Sequence, residues 1–249
     1  MTLLLPALVT VVVLTALAAV VVRGLGLEQP WLQPWAMLRA VVQLGLLSLV
    51  LVGVIERPAW VAAFLAAMVL AAAWTVRSRL GLTARLLPLL VGVVAASAAV
   101  PVAVALGLGA VEPSPRYVLA VGGIVVGNVM AVTTLMGRLL GASLVADRDE
   151  IEGWLALGAA PRVAARRAVR SAASSAIVPS TDQTRTTGIV TLPGAFVGAV
   201  FAGASPVEAA AFQLVVLACI MAGGALAVSL VSWRFGAPRT LPTEAAPLR

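Results

Sequence analysis

The sequence predicts an all-α fold: a polytopic transmembrane helical bundle of about seven spans, with a cytoplasmic helical arm between spans five and six. Three observations carry this. Of 249 residues, 61% are hydrophobic and only 11% charged, against roughly 25% charged in a soluble domain. The apolar residues fall in runs of about 20, the length that crosses ~30 Å of hydrocarbon at 1.5 Å per residue. The charged residues gather between these runs, and most densely in one of them. Residues 1–236 read as one membrane domain, with the arm at 137–186. Residues 237–249 read as a short cytoplasmic tail, expected to be disordered.

The first apolar block is Leu3 to Val22. Its alanines could suit a signal-peptidase site, but no positive residue precedes it and Arg23 follows it. A signal peptide has the opposite charge layout, so the block reads as a retained span with its N-terminus outside. Trp31 and Trp35 then suit a membrane interface. Block 2 is Ala36 to Ile55, with Arg39 near its start and Gln43 one turn on. Block 3 is Trp60 to Val76, and Arg77, Arg79 and Arg85 fill the loop after it. Block 4 is Leu86 to Leu106, with Pro101 as an expected kink. Block 5 is Tyr117 to Met136 and carries Asn128. Block 6 begins near Thr187, contains Pro193-Gly194 and ends near Gly203. A tight turn at Gly203 to Pro206 leads to block 7, Val207 to Trp233.

Seven spans alternate sides. With the N-terminus outside, 15 of the 17 arginines fall on the inner side and only Arg57 and Arg116 outside. Inner loops carry the excess of basic residues, so this orientation is preferred. The arm and the C-terminus are then cytoplasmic, and the chain is expected in the cytoplasmic (inner) membrane.

Composition also excludes functions. The net charge of +7 is explained by arginines that set topology and meet lipid headgroups. No basic run with interleaved aromatics appears, so nucleic acid is not expected as a partner. The chain has no histidine, hence no His-based metal site or general base. It also has no lysine, and a phosphate-binding G-x-x-x-x-G-K-[ST] loop needs one. No catalytic residue is assigned, and no cofactor is expected in this chain. The lone cysteine, Cys219, lies in an apolar block and should pack as a small hydrophobe.

The stretch from Asp147 to Gly194 holds half of the ten acidic residues and six of the 17 arginines. Asp149 suits a helix cap, with Glu150 and Glu152 in the first turn, where the helix dipole favours acids. Ile151, Trp154, Leu155 and Gly158 recur at helical spacing and predict one apolar face. Gly158 suits a C-terminal cap and Pro161 the start of a second helix. On that second helix Arg162, Arg166 and Arg170 would form one stripe, and Pro179 would end it. Two readings fit: an amphipathic helix on anionic lipid, or a docking element for a cytoplasmic partner. The packing of Glu150, Glu152 and Trp154 into one turn and a half favours the second.

Here the sequence resembles known proteins. Permeases of ABC transporters carry a cytoplasmic E-A-A-x-x-x-G motif, a coupling helix that sits in a groove of the ATPase subunit. Glu152 to Gly158, EGWLALG, has that spacing, with Gly153 and Trp154 in place of the alanines. A closer resemblance, over about residues 36 to 231, is to the FetB-type permease family. DEIEGWLALGA, APRVAARRAVRSA, DQTRTTGIVTLPGAFVG and GASPVEAAAFQLVVL carry it, together with Arg39-x-x-x-Gln43-Leu44 and Gly127-Asn128. The resemblance implies the membrane subunit of an iron exporter, with plant relatives linked to aluminium tolerance. It also implies a separately encoded ATPase that binds the ATP, and two copies of each subunit. Glu150, Glu152, Trp154, Leu155 and Gly158 would form the ATPase-coupling surface.

Polar residues within spans mark the candidate pathway. Gln43 and Asn128 either hydrogen-bond between helices or line a path. Asp182, Gln183 and Arg185 either pair among themselves or form an inner vestibule. Thr191, Pro193 and Gly194 interrupt block 6, and broken helices are used both for packing and for transport sites. No metal-ligand set is read from the residues, so iron comes from the resemblance alone. The competing functions are a stand-alone secondary transporter of a small polar solute and a membrane-bound enzyme. The first should show buried ionisable residues, the second a catalytic group.

Overall fold

The computed structural model describes residues 4–26, 31–54 and 57–237. The tail expected to be disordered begins at the edge of this range, and its residues from 238 on lie outside it. The described residues form helices α1 (Leu4–Gly24), α2 (Leu32–Val54), α3 (Pro58–Arg79), α4 (Leu87–Gly107), α5 (Pro115–Ala146) and α6 (Arg148–Ala156). They continue with α7 (Pro161–Ala164), α8 (Arg166–Thr186), α9 (Gly194–Phe201) and α10 (Pro206–Phe235). Five of them are long and apolar enough to cross a membrane: α1, α3, α4 with the short 3₁₀ turn before it, α5 and α10.

The chain divides into two compact units, Met1–Glu56 and Arg57–Arg249. In the first, α1 packs on α2. A groove between them is lined by aliphatic residues such as Val12, Met37 and Val41, with Trp31 beside them. Both helices leave most of their leucines and valines exposed, as a surface in contact with hydrocarbon would.

The second unit is built on α3, α4, α5, α8 and α10. Its upper core joins Val94 and Ala98 of α4, Val125 and Val129 of α5, and Val216 and Ile220 of α10. The helices meet closely at Gly223, where an added Cβ would stand 2.9 Å from the Ser97 carbonyl oxygen and 3.1 Å from Val129. Small residues at such crossings let backbones approach. Cys219 packs in this core as a small hydrophobe, and its thiol lies 3.6 Å from the Pro101 carbonyl oxygen as a donor. A lower core joins Leu140 and Leu144 of α5, Ile151 of α6, Ala168, Ala172 and Ala176 of α8, and Val231 and Phe235 of α10.

Three expectations about element ends are corrected. Block 5 does not stop at Met136. The helix runs on to Ala146, 32 residues in all, because no glycine pair or proline interrupts it and Leu140 and Leu144 are fully buried. The first ten residues expected in the arm are therefore the end of α5. Pro179 does not end the second arm helix but lies inside α8. Packing of Ala172, Ala176 and Ser180 outweighs the lost backbone bond, and the Ser180 and Thr181 hydroxyls both donate to Ile177 O at 3.0 Å. Block 6 is not one continuous span. Residues 187–193 are non-helical, and α9 has only eight residues, about 12 Å of rise.

The opposite holds for α10. Ser205 and Glu208 form a reciprocal capping box at its start, where the sequence spacing predicts only a tight turn. Its 30 residues run unbroken to Phe235.

Candidate functional site

The arm is an elbow at one end of α5 and α10. Asp147, not Asp149, occupies the cap position of α6, and Asp149 and Glu150 stand in its first turn. The correction is one of register: α5 hands over to α6 through Asp147 alone, so the cap falls two residues early. Ile151 is 2% exposed and anchors α6 in the lower core. Trp154 (48% exposed) and Leu155 (37%), one turn further along the same side, are left open. The apolar stripe is thus covered at Ile151 and exposed at Trp154 and Leu155.

Gly158 closes the helix as its sequence position suggested, at φ +87°. Its N–H donates to Leu155 O and that of Ala159 to Trp154 O, both at 3.0 Å. Nothing crowds the glycine, so the left-handed backbone is what selects it. Pro161 is the first residue of α7. The arginine stripe does not continue from α7 to α8, because the chain turns at Ala165 between them. Arg162 instead donates from Nη2 to Trp233 O at 3.0 Å, in the last turn of α10. A cation there complements the negative end of that helix.

Two ion pairs fix the charges of α6. Glu150 Oε2 accepts from Arg167 Nη1 at 2.8 Å, tying α6 to α8 across 17 residues of sequence. Glu152 lies 3.4 Å from Arg148 Nε, one turn away. Both pairs are largely exposed and each contributes ~0–1 kcal/mol at most. Of the five residues read as a coupling surface, Trp154 and Leu155 are presented outward and Gly158 shapes the turn. Glu150 and Glu152 are engaged within the elbow.

The second candidate region is the break after α8. Asp182 Oδ1 and Arg185 Nη1 lie 3.8 Å apart, so the two side chains do pair. The Gln183 carbonyl accepts the hydroxyl of Thr187 at 2.7 Å. Gly188, at φ +86°, donates to Thr191 O at 2.8 Å, folding 187–191 into a tight loop. Pro193 then caps α9, and Gly194 is its first residue. These six pathway candidates therefore share one joint. Gln43 lies exposed on α2, in the other compact unit. Asn128 lies on α5, with its Oδ1 buried and lacking a hydrogen-bond partner among the described residues.

The sequence reading missed three further polar groups inside the bundle. Ser97 of α4, Thr133 of α5 and Gln213 of α10 are buried, and an oxygen of each is without a partner among the described residues. The signal was available for Gln213, an amide inside an apolar block like Gln43. Serine and threonine are common enough in membrane helices that Ser97 and Thr133 gave none. Among the described residues no group of three His, Cys, Asp or Glu side chains comes together.

The sequence matches the model of an uncharacterised protein family, UPF0014, over residues 4–237. It is 35% identical over 228 residues to the UPF0014 membrane protein STAR2 of Oryza sativa subsp. japonica, covering 91% of this chain and 79% of that protein. It is 30% identical over 136 residues to the Escherichia coli (strain K12) protein named "Probable iron export permease protein FetB", covering 55% and 52%. It is 38% identical over 119 residues to the protein ALUMINUM SENSITIVE 3 of Arabidopsis thaliana, covering 48% and 43%. The last two matches thus span about half of those proteins. No solved structure gives a significant match. A helical membrane bundle that matches UPF0014 along nearly all its length belongs to that family, whose members include the FetB-type permeases.

Proposed function

We propose that this chain is the membrane-spanning permease subunit of an ABC exporter, driven by a separate ATPase subunit and working as a homodimer. Its cargo is iron or another metal leaving the cytoplasm. The observation that carries the reading is the elbow. A short helix leaves Trp154 exposed, while Ile151, one turn before it, is seated in a core shared with α5, α8 and α10. A load applied at Trp154 is therefore passed to three long helices at once. The metal takes its support from the relatives' names, which speak of iron export and of aluminium.

Seven crossings fit this arrangement if α2, with 23 residues, is counted and α8 and α9 are taken as one crossing in two pieces. The arginine distribution then puts the elbow and the C-terminus in the cytoplasm and the N-terminus outside. ATP is bound by the partner, since a chain without lysine cannot form the P-loop.

The test is co-expression with the ATPase, followed by pull-down and transport measurement. Trp154→Ala removes a central aromatic anchor, and such anchors are typically worth more than ~2 kcal/mol, a ~30-fold loss of affinity. Gly158→Val forces a branched side chain to φ +87°. Both variants should reach the membrane, lose the ATPase and stop transport. If both retain the ATPase and transport normally, the elbow is not the coupling surface. If transport by the unaltered chain needs no ATP, the reading as an ABC subunit fails outright.

A further inference from the structure

Building on the reading of this chain as an ABC permease, we infer that Arg162 is a positioning residue: it pins α7 to the tip of α10, so that α10 follows the elbow when the ATPase acts on α6. The core around Ile151 is one route for that load. The pin is a second route, and its loss can be seen separately.

The need for a pin follows from how α7 is joined. α7 has four residues. Before it the backbone is left-handed at Gly158, φ +87°, and extended at Ala160, ψ 146°. After it the chain turns at Ala165, ψ 1°. A single helical turn has no stiffness of its own, since helices shorter than ~12 residues are held by packing. Ala164 seats the inner side of α7 in the lower core, but apolar contact is non-directional. A push on α6 is taken up by rotation at the two breaks unless a directional bond holds α7.

Arg162 supplies that bond. Its Nη2 donates to Trp233 O at 3.0 Å, and a hydrogen bond weakens steeply once it is bent. Trp233 is in the last turn of α10, where the helix itself offers no amide to the carbonyls. The bond thus fills a position that α10 leaves open. The tip it holds is firm. Phe235 is buried in the core that contains Ala164, Ala165 and Ala168. At Gly236 an added Cβ would stand 3.2 Å from Val169 Cγ2 of α8. From this tip α10 runs unbroken back to Pro206. Arg166 is the matched contrast. It is also exposed and carries the same charge, but it lies past the break, on α8. A role in meeting lipid or solvent would make the two arginines equal, and a pin makes them differ.

The test uses the full chain with its ATPase in nanodiscs. Hydrogen exchange is compared between the resting complex and the complex trapped with ATP and vanadate. In the unaltered chain, trapping should change exchange both at residues 148–164 and at residues 230–236. Arg162→Ala should keep the first change and reduce the second about fivefold, the order set by one charge-assisted hydrogen bond in partial contact with water. ATP hydrolysis, ATPase pull-down and the thermal midpoint should stay as in the unaltered complex. Arg162→Lys can still donate to the carbonyl and should restore most of the response at 230–236. Arg166→Ala should behave as the unaltered chain. An undiminished response at 230–236 in Arg162→Ala overturns the pin and leaves the ABC reading standing. So does an equal loss in Arg166→Ala. A lowered midpoint in Arg162→Ala with both responses gone also overturns it, because Arg162 would then serve folding alone. No response at 148–164 in the unaltered chain overturns the ABC reading, and the pin falls with it.

Discussion

α10 and the α8–α9 pair both run through the same unit, and they are built in opposite ways. α10 runs 30 residues without interruption, starts on a capping box and buries Gly223 against the Ser97 backbone. α8 and α9 are separated by a tight loop at 187–193, neither has a side-chain cap, and α9 has no buried residue. The first is a strut whose geometry is over-determined by packing. The second contains a joint: α8 is seated by its neighbours, but the loop at 187–193 is held by local hydrogen bonds and α9 buries nothing. A bundle that must change conformation without falling apart needs one of each, and the low-density element is the one able to move.

The sharpest way to break this contrast is at Gly223. Gly223→Leu places a side chain where a Cβ alone stands 2.9 Å from backbone, and such overpacking costs ~1–3 kcal/mol or more. The expected result is a lower thermal midpoint in detergent and loss of the monodisperse species. A tolerated leucine would mean that α10 is not tightly held. Gly188→Val comes next. Its surroundings are open, so only the strain of φ +86° counts, ~1–2 kcal/mol. The thermal midpoint should stay close to that of the parent, while hydrogen exchange at residues 186–192 rises and transport falls. Unchanged transport would remove the joint from the mechanism. The smallest effect is expected from Ser205→Ala, which deletes half of the capping box at ~1 kcal/mol. Amides 207–209 should exchange faster while the rest of α10 does not. Exchange rising along the whole helix would show that the cap, and not the packing, keeps it rigid.

Much of the fold was legible because hydrophobic length is a strong signal. The blocks corresponding to α1, α3, α4 and α10 fall within a few residues of the observed helices. The boundaries that failed share a cause: tertiary packing overrode a local rule. Pro179 is a helix breaker by itself, yet Ala168, Ala172 and Ala176 seat α8 so well that the helix passes through it. The end of α5 was misread because Leu140 and Leu144 face a neighbour that only the fold supplies. At the elbow, Gly158 and Pro161 were legible because backbone rules are local. Ile151 and Trp154 differ only in which turn of a short helix the rest of the chain covers, and sequence spacing cannot tell that. Arg162 was invisible as a latch on Trp233, since 71 residues separate donor and acceptor.

The unexpected length of α5 has a mechanical consequence. Thirty-two residues make a rod of about 48 Å, roughly 18 Å more than the hydrocarbon needs. The elbow grips one tip of that rod. A lever of this length, rocked about its midpoint by 10°, carries each tip through about 4 Å in opposite directions. A push delivered at the short helix beside Asp147 would arrive at Pro115, the other tip of the rod, as a displacement wider than a water molecule.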